Sequence, residues 1–422
     1  VCAVLRIFVD DWSFYEDQFE PFMHQALHHL LRIIQHCYDF DSQVQSFNVL
    51  CLILERMGTR VKPFANEIVA MIPEVWEKAQ DQSLLKIQVL NAMHRMMQCL
   101  GVSSESTYNI VIPLLQYSVN PDGPESASIL EDALLFLRSV LQFAVDLKPQ
   151  IAELVLFVCT HMQRSTEYLP VAAKIVESFV LIGGLPFLQV HHGTIFHTLG
   201  EVLGAVNSRG LPIMTPVLDL ILQIFPAAEL PVLKGVFGLL LQRLMDEKES
   251  DDALIHIACV FARLAVKNAA FLVQMAGEAG GDAVFARLLD VWINKSYAVP
   301  SALKRKILCV GLVLLVDTNH PSLVTRLDLM APFVLDVGQE FKLQQQPLDI
   351  LQESYDEDFE DYVASEEDPE AARRSNLWKV DPVNTVDLPP LVSFKMQERI
   401  AKGELHLNPR LAAQLTKLST QP

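Results

Sequence analysis

The sequence has little of what most other architectures require. Only 17 of its 422 residues are glycine, and no Asn-Gly or Asp-Gly pair joins two alternating segments as in a β-hairpin. Its seven cysteines, at positions 2, 37, 51, 99, 159, 259 and 309, are scattered, and no two form a Cys-x-x-Cys pair. These features exclude a disulfide scaffold and favour a reducing compartment, the cytosol or the nucleus.

Positive charge is also in short supply. The 33 Lys and Arg residues face 51 Asp and Glu residues, which gives a net charge of −18. This excess opposes binding to DNA or RNA and favours basic protein partners. The longest apolar runs, such as 307–316, have about ten residues, too few to cross a membrane. The sequence starts at Val1, so we expect a piece of a longer protein whose N-terminal part is missing.

What is present is a recurring pair of helical segments with apolar stripes. Val44, Phe47, Cys51 and Leu54 follow a helical 3-4-3 spacing, and similar stripes occupy 90–100 and 130–141. The first helices of successive pairs are predicted to begin near residues 22, 62, 107, 149, 189, 229 and 270. A two-helix unit of about 40–47 residues is typical of HEAT and armadillo repeats.

The period therefore predicts an all-α fold, a HEAT/armadillo-type α-solenoid in which antiparallel helix pairs stack along the chain. We expect about seven to eight repeats over residues 1–340, because one pair cannot cover its own apolar faces. A single irregular α-bundle with accidental spacing is the alternative.

Helix boundaries and prolines punctuate this period. Ser42 with Gln45 and Ser128 with Glu131 predict N-terminal caps. Glycines predict the helix ends at Gly58, Gly101 and Gly183. Pro73 and Pro113, each after an isoleucine and 40 residues apart, are predicted to lie inside first helices.

The pattern changes after about residue 340. Eleven acidic residues and no Lys or Arg occupy 349–370, so we expect an acidic, mobile segment over residues 341–376. Residues 377–422 carry prolines and a short amphipathic stretch, and we expect a partly helical tail that docks on the last repeat.

Aromatic residues alternate with carboxylates inside the acidic segment. The candidate residues are Asp356, Glu357, Asp358, Phe359, Glu360 and Asp361. They favour contact with a basic groove or competition with a basic partner, with the aromatic rings as anchors. The alternative is a solubilising linker whose aromatic side chains have no partner.

Second helices of HEAT units usually line the concave wall, and here several of them begin or end with acidic residues. These candidate partner-binding residues are Glu55, Glu131, Asp132, Glu177, Asp219, Asp251, Asp252 and Asp317. Carboxylates on an inner wall would attract basic protein ligands with salt-sensitive affinity. The alternative is that each is an ordinary solvated helix end.

The sequence contains no motif for catalysis, cofactor binding or metal binding. It lacks GxSxG, GxxxxGK[ST], HExxH and GxGxxG, so we assign no enzyme activity and no cofactor. His24 and His28 have the i, i+4 spacing of metal ligands, but two histidines make only half a zinc site. Exposed or groove-lining histidines are the favoured interpretation.

The order of several short motifs is similar to that in the C-terminal part of importin-β (karyopherin) nuclear transport receptors. The last motif, after the acidic stretch, is the most specific. The motifs are Leu54-Glu55-Arg56, Lys62-Pro63-Phe64, Ile72-Pro73, Val75-Trp76, Ile129-Leu130-Glu131-Asp132-Ala133-Leu134 and Asp381-Pro382-Val383-Asn384-Thr385-Val386-Asp387-Leu388. They span the chain in order from about residue 40 to 400.

The resemblance implies a receptor that shuttles between nucleus and cytoplasm through the nuclear pore. Such receptors carry protein cargo, contact Phe-Gly nucleoporins and release import cargo when the GTPase Ran binds in its GTP form. In the family the principal Ran contact lies in the first repeats, which we expect to precede this chain, so we assign no Ran-contact residue. An exportin and a static HEAT-repeat scaffold are the alternatives, and neither nucleic acid nor membrane is expected as a partner.

Overall fold

The computed structural model describes residues 2–246, 248–344, 348 and 368–419. Every regular element within these residues is a helix, which confirms the prediction of an all-α fold. The described residues form two compact units, one within the ranges 1–183 and 361–372 and the other within 184–360 and 373–422.

The first unit contains a row of first helices and a row of second helices. Its helices are α1 (Cys2–Asp10), α2 (Glu16–His36), α3 (Phe40–Met57), α4 (Ala65–Ala79), α5 (Ser83–Leu100), α6 (Tyr108–Ser118), α7 (Ser126–Phe143), α8 (Pro149–Ala152), α9 (Leu154–Arg164) and the start of α10 (Leu169–Ala205). Helices α3, α5 and α7 contact one another in order, and α2, α4 and α6 do the same. Each second helix also packs against the first helix of its own pair.

The second unit continues the pattern and ends in shorter helices. After the rest of α10 it contains α11 (Leu211–Ile224), α12 (Lys234–Leu244), α13 (Asp251–Gly280), α14 (Asp282–Lys295), α15 (Ala302–Leu315), α16 (Pro321–Val324), α17 (Leu327–Leu343), most of α18 (Pro369–Val380), α19 (Pro382–Thr385), α20 (Leu388–Ala401) and α21 (Pro409–Ser419). Helices α11, α13, α15 and α17 contact one another in order. Short 3₁₀ segments cover Gly58–Phe64, Gly101–Thr107, Ala227–Leu233, Ser296–Ala298 and Val316–Thr318.

The repeat length is visible in the second helices. They begin at Phe40, Ser83, Ser126, Leu169, Leu211 and Asp251, which are 43, 43, 43, 42 and 40 residues apart. Contacts between neighbouring repeats follow the same interval: the Cys99 thiol donates to the carbonyl oxygen of Leu54, and Thr215 bonds His256. The predicted helix-pair period is therefore confirmed, because equivalent positions of adjacent repeats touch.

Helix ends agree with only part of the prediction. Gly58 and Gly101 end α3 and α5 with φ of 50° and 58°, a conformation that favours glycine. Near the middle of α10 the residue with a positive φ, of 56°, is Gly184 and not the predicted Gly183. Ser42 was predicted as a cap, but it lies inside α3, and its backbone N–H donates to the Asp39 carboxylate that caps the helix.

The second predicted cap is also wrong, whereas both prolines lie where they are predicted. Helix α7 begins at Ser126, two residues before Ser128, and no side-chain cap is formed. Pro73 lies inside α4 and Pro113 inside α6, both of which are first helices.

Two helices of the described chain are long and apolar enough to cross a membrane by length and composition. They are α10 and α13, with mean hydropathy of 1.8 and 1.5. About two thirds of the apolar window is buried within the protein in each (67% and 61%), and each contains a non-helical residue, Gly184 or Asn268. Both therefore have the pattern of core helices.

The last helices of the second unit cover α17. Helices α20 and α21 both contact α17 and each other. Gly338 of α17 allows this approach, because a Cβ atom there would lie 3.2 Å from Leu418 and 3.5 Å from Val392. Leu418 and Val392 are buried.

Candidate partner-binding surface

Three arginines occupy the same position on three second helices. Arg95, Arg138 and Arg263 each follow the first residue of their helix, α5, α7 or α13, by 12 residues. Arg95 and Arg138 belong to the first unit and Arg263 to the second. Because the repeats are regular, we expect each guanidinium to lie at an equivalent place relative to the neighbouring second helix.

Arg138 holds a carboxylate from the C-terminal part of the chain. Its Nη1 and Nη2 donate to Oε2 and Oε1 of Glu370 at 2.7 and 3.1 Å, a bidentate pair. The Ser178 hydroxyl donates to the same carboxylate at 3.0 Å. The Glu370 side chain is completely buried and that of Arg138 is 10% exposed, so each ion depends on the other for solvation.

Asp368 completes this cluster in the first unit. One of its carboxylate oxygens accepts from Gln142 Nε2 at 2.9 Å. The other oxygen accepts from the backbone N–H groups of Glu370 and Ala371 at 2.8 and 3.1 Å. Asp368 therefore caps α18, and Pro369 at the start of the helix has no N–H that would need a partner.

Arg263 of the second unit holds two carboxylates. Its Nη1 donates to both oxygens of Asp381 at 2.8 and 2.7 Å, and its Nε donates to Asp219 at 2.7 Å. Burial alone would lower the pKa of Arg263, but Asp219 and Asp381 together raise it above its usual value. Asp381 also accepts from the backbone N–H of Val383 at 2.7 Å, so it caps α19 just before Pro382.

Two lysines, the buried Lys306 and the half-buried Lys267, accompany this second cluster. Lys306 Nζ donates to the carbonyl oxygen of Asn384, and Lys267 Nζ donates to that of Gln223. Burial lowers the pKa of both lysines, although Asp381 opposes the shift. The segment that carries Asp381 is thus surrounded by cationic side chains of α13 and α15.

Arg95 differs from Arg263 because it lines a much larger cavity than the one of about 40 Å³ beside Arg263. Its Nη2 lies 3.6 Å from Glu55 Oε2, and its Nη1 donates to Gln98 at 3.3 Å. Its side chain is 23% exposed, compared with 4% for Arg263. The cavity has a volume of about 440 Å³ and is lined by Arg6, Asp10, Asn48, Cys51, Leu52, Glu55, Gln88, Asn91 and Arg95.

Five of the eight predicted acidic residues form ion pairs within the chain. Glu55 pairs with Arg95 and Glu177 with Lys174, each at 3.6 Å, and Asp219 pairs with Arg263. Asp251 and Asp317 pair with Lys295 and Lys395. Much of the negative charge on the second helices is therefore balanced locally.

The other three predicted carboxylates have different settings. Burial raises the pKa of Asp132, although a hydrogen bond from Asn91 opposes the shift. Glu131 is exposed. The Asp252 side chain is 70% exposed and lies 3.8 Å from His256 Nε2. Glu131, Asp252 and the ion-paired Asp251, whose side chain is 73% exposed, are therefore accessible to a partner.

The remaining sequence candidates add no chemical site. Asp356, Glu357, Asp358, Phe359, Glu360 and Asp361 lie outside the described residues. His24 and His28 stack with their ring centroids 6.5 Å apart, and His28 lies 3.9 Å from Glu67. Among the residues that the structure describes, no group of three His, Cys, Asp or Glu side chains could hold a metal ion.

The sequence interpretation missed the arginines, although it named Asp219 as an acidic candidate and Asp381 within a family motif. Arg138 and Arg263 lie next to apolar stripes, and their common helix position was the available signal. Asp368 and Glu370 were counted only as charge in the acidic segment, whereas the structure buries both. The clusters join residues more than 100 positions apart, which no local pattern indicates.

A family model described as importin-11-like, TPR repeats, matches residues 87–412. Importin-11 of Mus musculus is 20% identical to this chain over 408 residues, which cover 94% of this chain and 42% of that protein. The importin beta-like protein Kap113 of Schizosaccharomyces pombe is 22% identical over 383 residues, which cover 90% of this chain and 39% of that protein.

Solved structures show the same fold. Lph2, described as a bidirectional nuclear transport receptor of S. cerevisiae, has a TM-score of 0.80 at 21% identity and covers 100% of this chain. The exportin Cse1 in its cargo-free, cytoplasmic state has a TM-score of 0.64 at 11% identity and also covers 100% of this chain. The match takes in 48% of the Lph2 chain and 46% of the Cse1 chain, so this chain spans about half their length.

Proposed function

Because the chain belongs to the importin-11-like family of importin-β receptors, we propose that it is part of a nuclear import receptor that carries protein cargo. The observation that carries this proposal is the family match over residues 87–412, most of the chain. The receptor passes nuclear pores by contact with Phe-Gly nucleoporins, responds to Ran in its GTP form, and shuttles between nucleus and cytoplasm. No catalytic turnover is part of this function.

The architecture suits a carrier. In a stack of helix pairs each repeat contacts mainly its neighbours, so small rotations at many interfaces can accumulate. A partner that favours one arrangement of the repeats can therefore oppose another partner that favours a different one.

Exposed carboxylates are proposed to contact basic segments of cargo. Glu131, Asp251 and Asp252 are exposed members of the second-helix set, and the acidic residues 356–361 add further negative charge to the chain. Long-range attraction by such charges accelerates association and weakens as salt rises.

Binding of the full-length protein to immobilised Phe-Gly repeats and to Ran-GTP tests the receptor function. We expect both interactions, and binding to neither would refute the receptor assignment. The full-length protein is needed because this chain spans less than half the length of the curated relatives.

The direction of transport has its own test. An import receptor should release cargo when Ran-GTP is added, whereas an exportin should hold cargo more tightly. The exportin alternative is kept because the solved fold relatives include Cse1, an exportin, and Lph2, a bidirectional receptor. A cargo complex that ignores Ran-GTP would instead favour a static scaffold.

The role of the acidic segment is tested by neutralisation. Asp356, Glu357, Asp358, Glu360 and Asp361 are changed to Asn or Gln, while Asp368 and Glu370 stay intact because they form buried contacts. We expect weaker binding of basic cargo and a smaller dependence of affinity on salt. An unchanged affinity and salt slope would make the segment a linker.

A further inference from the structure

The chain contains its own ligands for arginines on its second helices. Arg138 and Arg263 occupy equivalent positions on α7 and α13, and each holds carboxylates from residues 368–381. In both cases an Asp-Pro pair begins the helix, Asp368-Pro369 and Asp381-Pro382. In both cases the Asp side chain accepts from backbone N–H groups of that helix. Arg138 binds Glu370, the residue after the proline, and Arg263 binds Asp381 itself, so in each unit an arginine holds a carboxylate at the start of an Asp-Pro helix.

The surroundings of Arg95 resemble those of Arg263. Arg263 pairs with Asp219 on the preceding second helix, 44 residues earlier, and uses Nη1 for Asp381. Arg95 likewise pairs with Glu55 on the preceding second helix, α3, through Nη2. The C-terminal segment contacts Arg263, whereas a cavity of about 440 Å³ lies beside Arg95. This volume is within the range of small ligand pockets and can admit a few residues of a peptide.

The lining of the cavity suits a peptide carboxylate. Arg6 and Arg95 offer guanidinium donors, and the amides of Asn48, Gln88 and Asn91 can donate to carboxylate or peptide oxygens. Asp10 and Glu55 balance the two arginines, so the cavity has no net formal charge. A ligand would therefore be held by directional hydrogen bonds, with little long-range attraction.

We propose that this cavity in the first unit binds the acidic start of a helix from a partner protein, an Asp-Pro segment followed by an acidic residue. The carboxylate accepts hydrogen bonds from Arg95, as Asp381 does from Arg263 and Glu370 from Arg138. Such a site would add a class of ligand to the receptor function proposed above. Only the statement that the partner is a cargo rests on that function. The side chains of the second helices would then bind the acidic N-termini of partner helices as well as basic segments.

The test uses the full 422-residue chain and a labelled peptide with its own sequence from 366 to 375, Glu-Glu-Asp-Pro-Glu-Ala-Ala-Arg-Arg-Ser. Fluorescence anisotropy should show saturable binding to the unmodified chain. We expect Arg95→Gln to weaken binding about tenfold or more, because a charge-assisted hydrogen bond is lost. Arg164→Gln is the matched control, since Arg164 is an exposed arginine of the same unit that pairs with Asp122, and it should leave binding unchanged.

A second peptide separates carboxylate recognition from general attraction. Replacing its Asp and the Glu after Pro with Asn and Gln should abolish binding at the Arg95 cavity. Arg6→Gln and Asn91→Ala provide further variants of the cavity lining if Arg95→Gln fails to fold. We expect each of them to reduce affinity.

Three outcomes would overturn the assignment. They are no binding to the unmodified chain, equal binding of the neutral peptide, and binding that survives Arg95→Gln but disappears with Arg138→Gln. The last outcome would place the peptide at the position that Glu370 occupies in the chain. The measurement includes neither Ran nor nucleoporins. A negative result would therefore refute the peptide site without contradicting the receptor function, which the Phe-Gly and Ran-GTP experiment tests.

Discussion

At the scale of single residues, the buried pair Arg138–Glu370 has an energetic consequence. Removing two ions from water costs several kcal/mol each, and mutual attraction with good geometry repays most of it. The bidentate contact and the Ser178 hydroxyl supply that geometry. A single neutral substitution leaves the other charge buried without its partner.

Glu370→Gln should therefore lower the free energy of unfolding of the first unit by roughly 3–5 kcal/mol. Urea unfolding of the full chain measures the change. Adding Arg138→Gln to this variant should restore part of the loss, because the uncompensated guanidinium is removed. Additive losses in the double variant would contradict a direct coupling between the two side chains.

His161 gives the first unit a dependence on pH. Burial lowers its pKa, although the hydrogen bond to the carbonyl oxygen of Val119 opposes the shift. The unfolded chain therefore binds a proton more readily than the folded one, and stability falls as the pH drops below about 6.5. The loss from this one group cannot exceed about 1.4 kcal/mol per pH unit.

His161→Gln should flatten this dependence, because the Gln amide can still donate to Val119 but does not titrate. Thermal unfolding at pH 7.5 and pH 5.5 compares the two proteins. His197→Gln is the control, since His197 is 68% exposed, and it should retain the pH dependence of the unmodified chain. An equal slope for His161→Gln would assign the acid sensitivity to other groups.

At the scale of helices, close packing between α13 and α15 depends on Gly311. A Cβ atom at this position would lie 2.9 Å from the Cα and the carbonyl oxygen of Ala262 and from the ring of Trp292. All three residues are buried, and a backbone cannot yield as a flexible side chain can. The small size of Gly311 therefore sets the distance between these two helices.

Gly311→Ala should destabilise the second unit by about 1–3 kcal/mol, the cost of overpacking. The matched control is Gly238→Ala in α12, where a new Cβ atom would meet nothing within 4 Å. That change should stabilise the protein by about 0.5–1 kcal/mol, because alanine favours the helix more than glycine. A higher melting temperature for both variants would contradict the close approach.

The sequence was most informative about these helices, because apolar stripes, prolines and glycines act locally. Gly58 and Gly101 could be predicted as helix ends, since a positive φ strongly favours glycine. Asp39 instead of Ser42 caps α3 because α2 ends at His36 and α3 already starts at Phe40, two residues before Ser42. Adjacent glycines at 183 and 184 gave no local reason to prefer Gly184.

The sequence predicts that the tail at 377–422 docks on the last repeat, but the buried contacts of Asp368, Glu370 and Asp381 could not be predicted in the same way. Glu370 looks like one more charge in an acidic run, and its partner Arg138 is 232 residues away. A carboxylate becomes a buried ligand only when the fold brings a guanidinium to it, which no sequence window contains. Likewise, the ion pairs of Asp219 and Glu55 depend on register between repeats 40 to 44 residues apart.

At the scale of the whole molecule, residues 368–419 contribute to the stability of both units. Asp368 and Glu370 bond Gln142 and Arg138 in the first unit. In the second unit Asp381 bonds Arg263, and α20 and α21 cover apolar residues of α17. Each unit would therefore lose buried partners if this part of the chain were removed.

A chain that ends at residue 344 should unfold at a lower temperature than the full chain and should expose apolar surface of α17 to a hydrophobic dye. Co-expressing residues 366–422 as a separate polypeptide should restore much of the stability, because every contact named above is noncovalent. The matched control for that polypeptide carries Glu370→Gln and Asp381→Asn, which remove the charges facing Arg138 and Arg263. Equal rescue by both polypeptides would mean that apolar contact with α17 alone holds the segment in place.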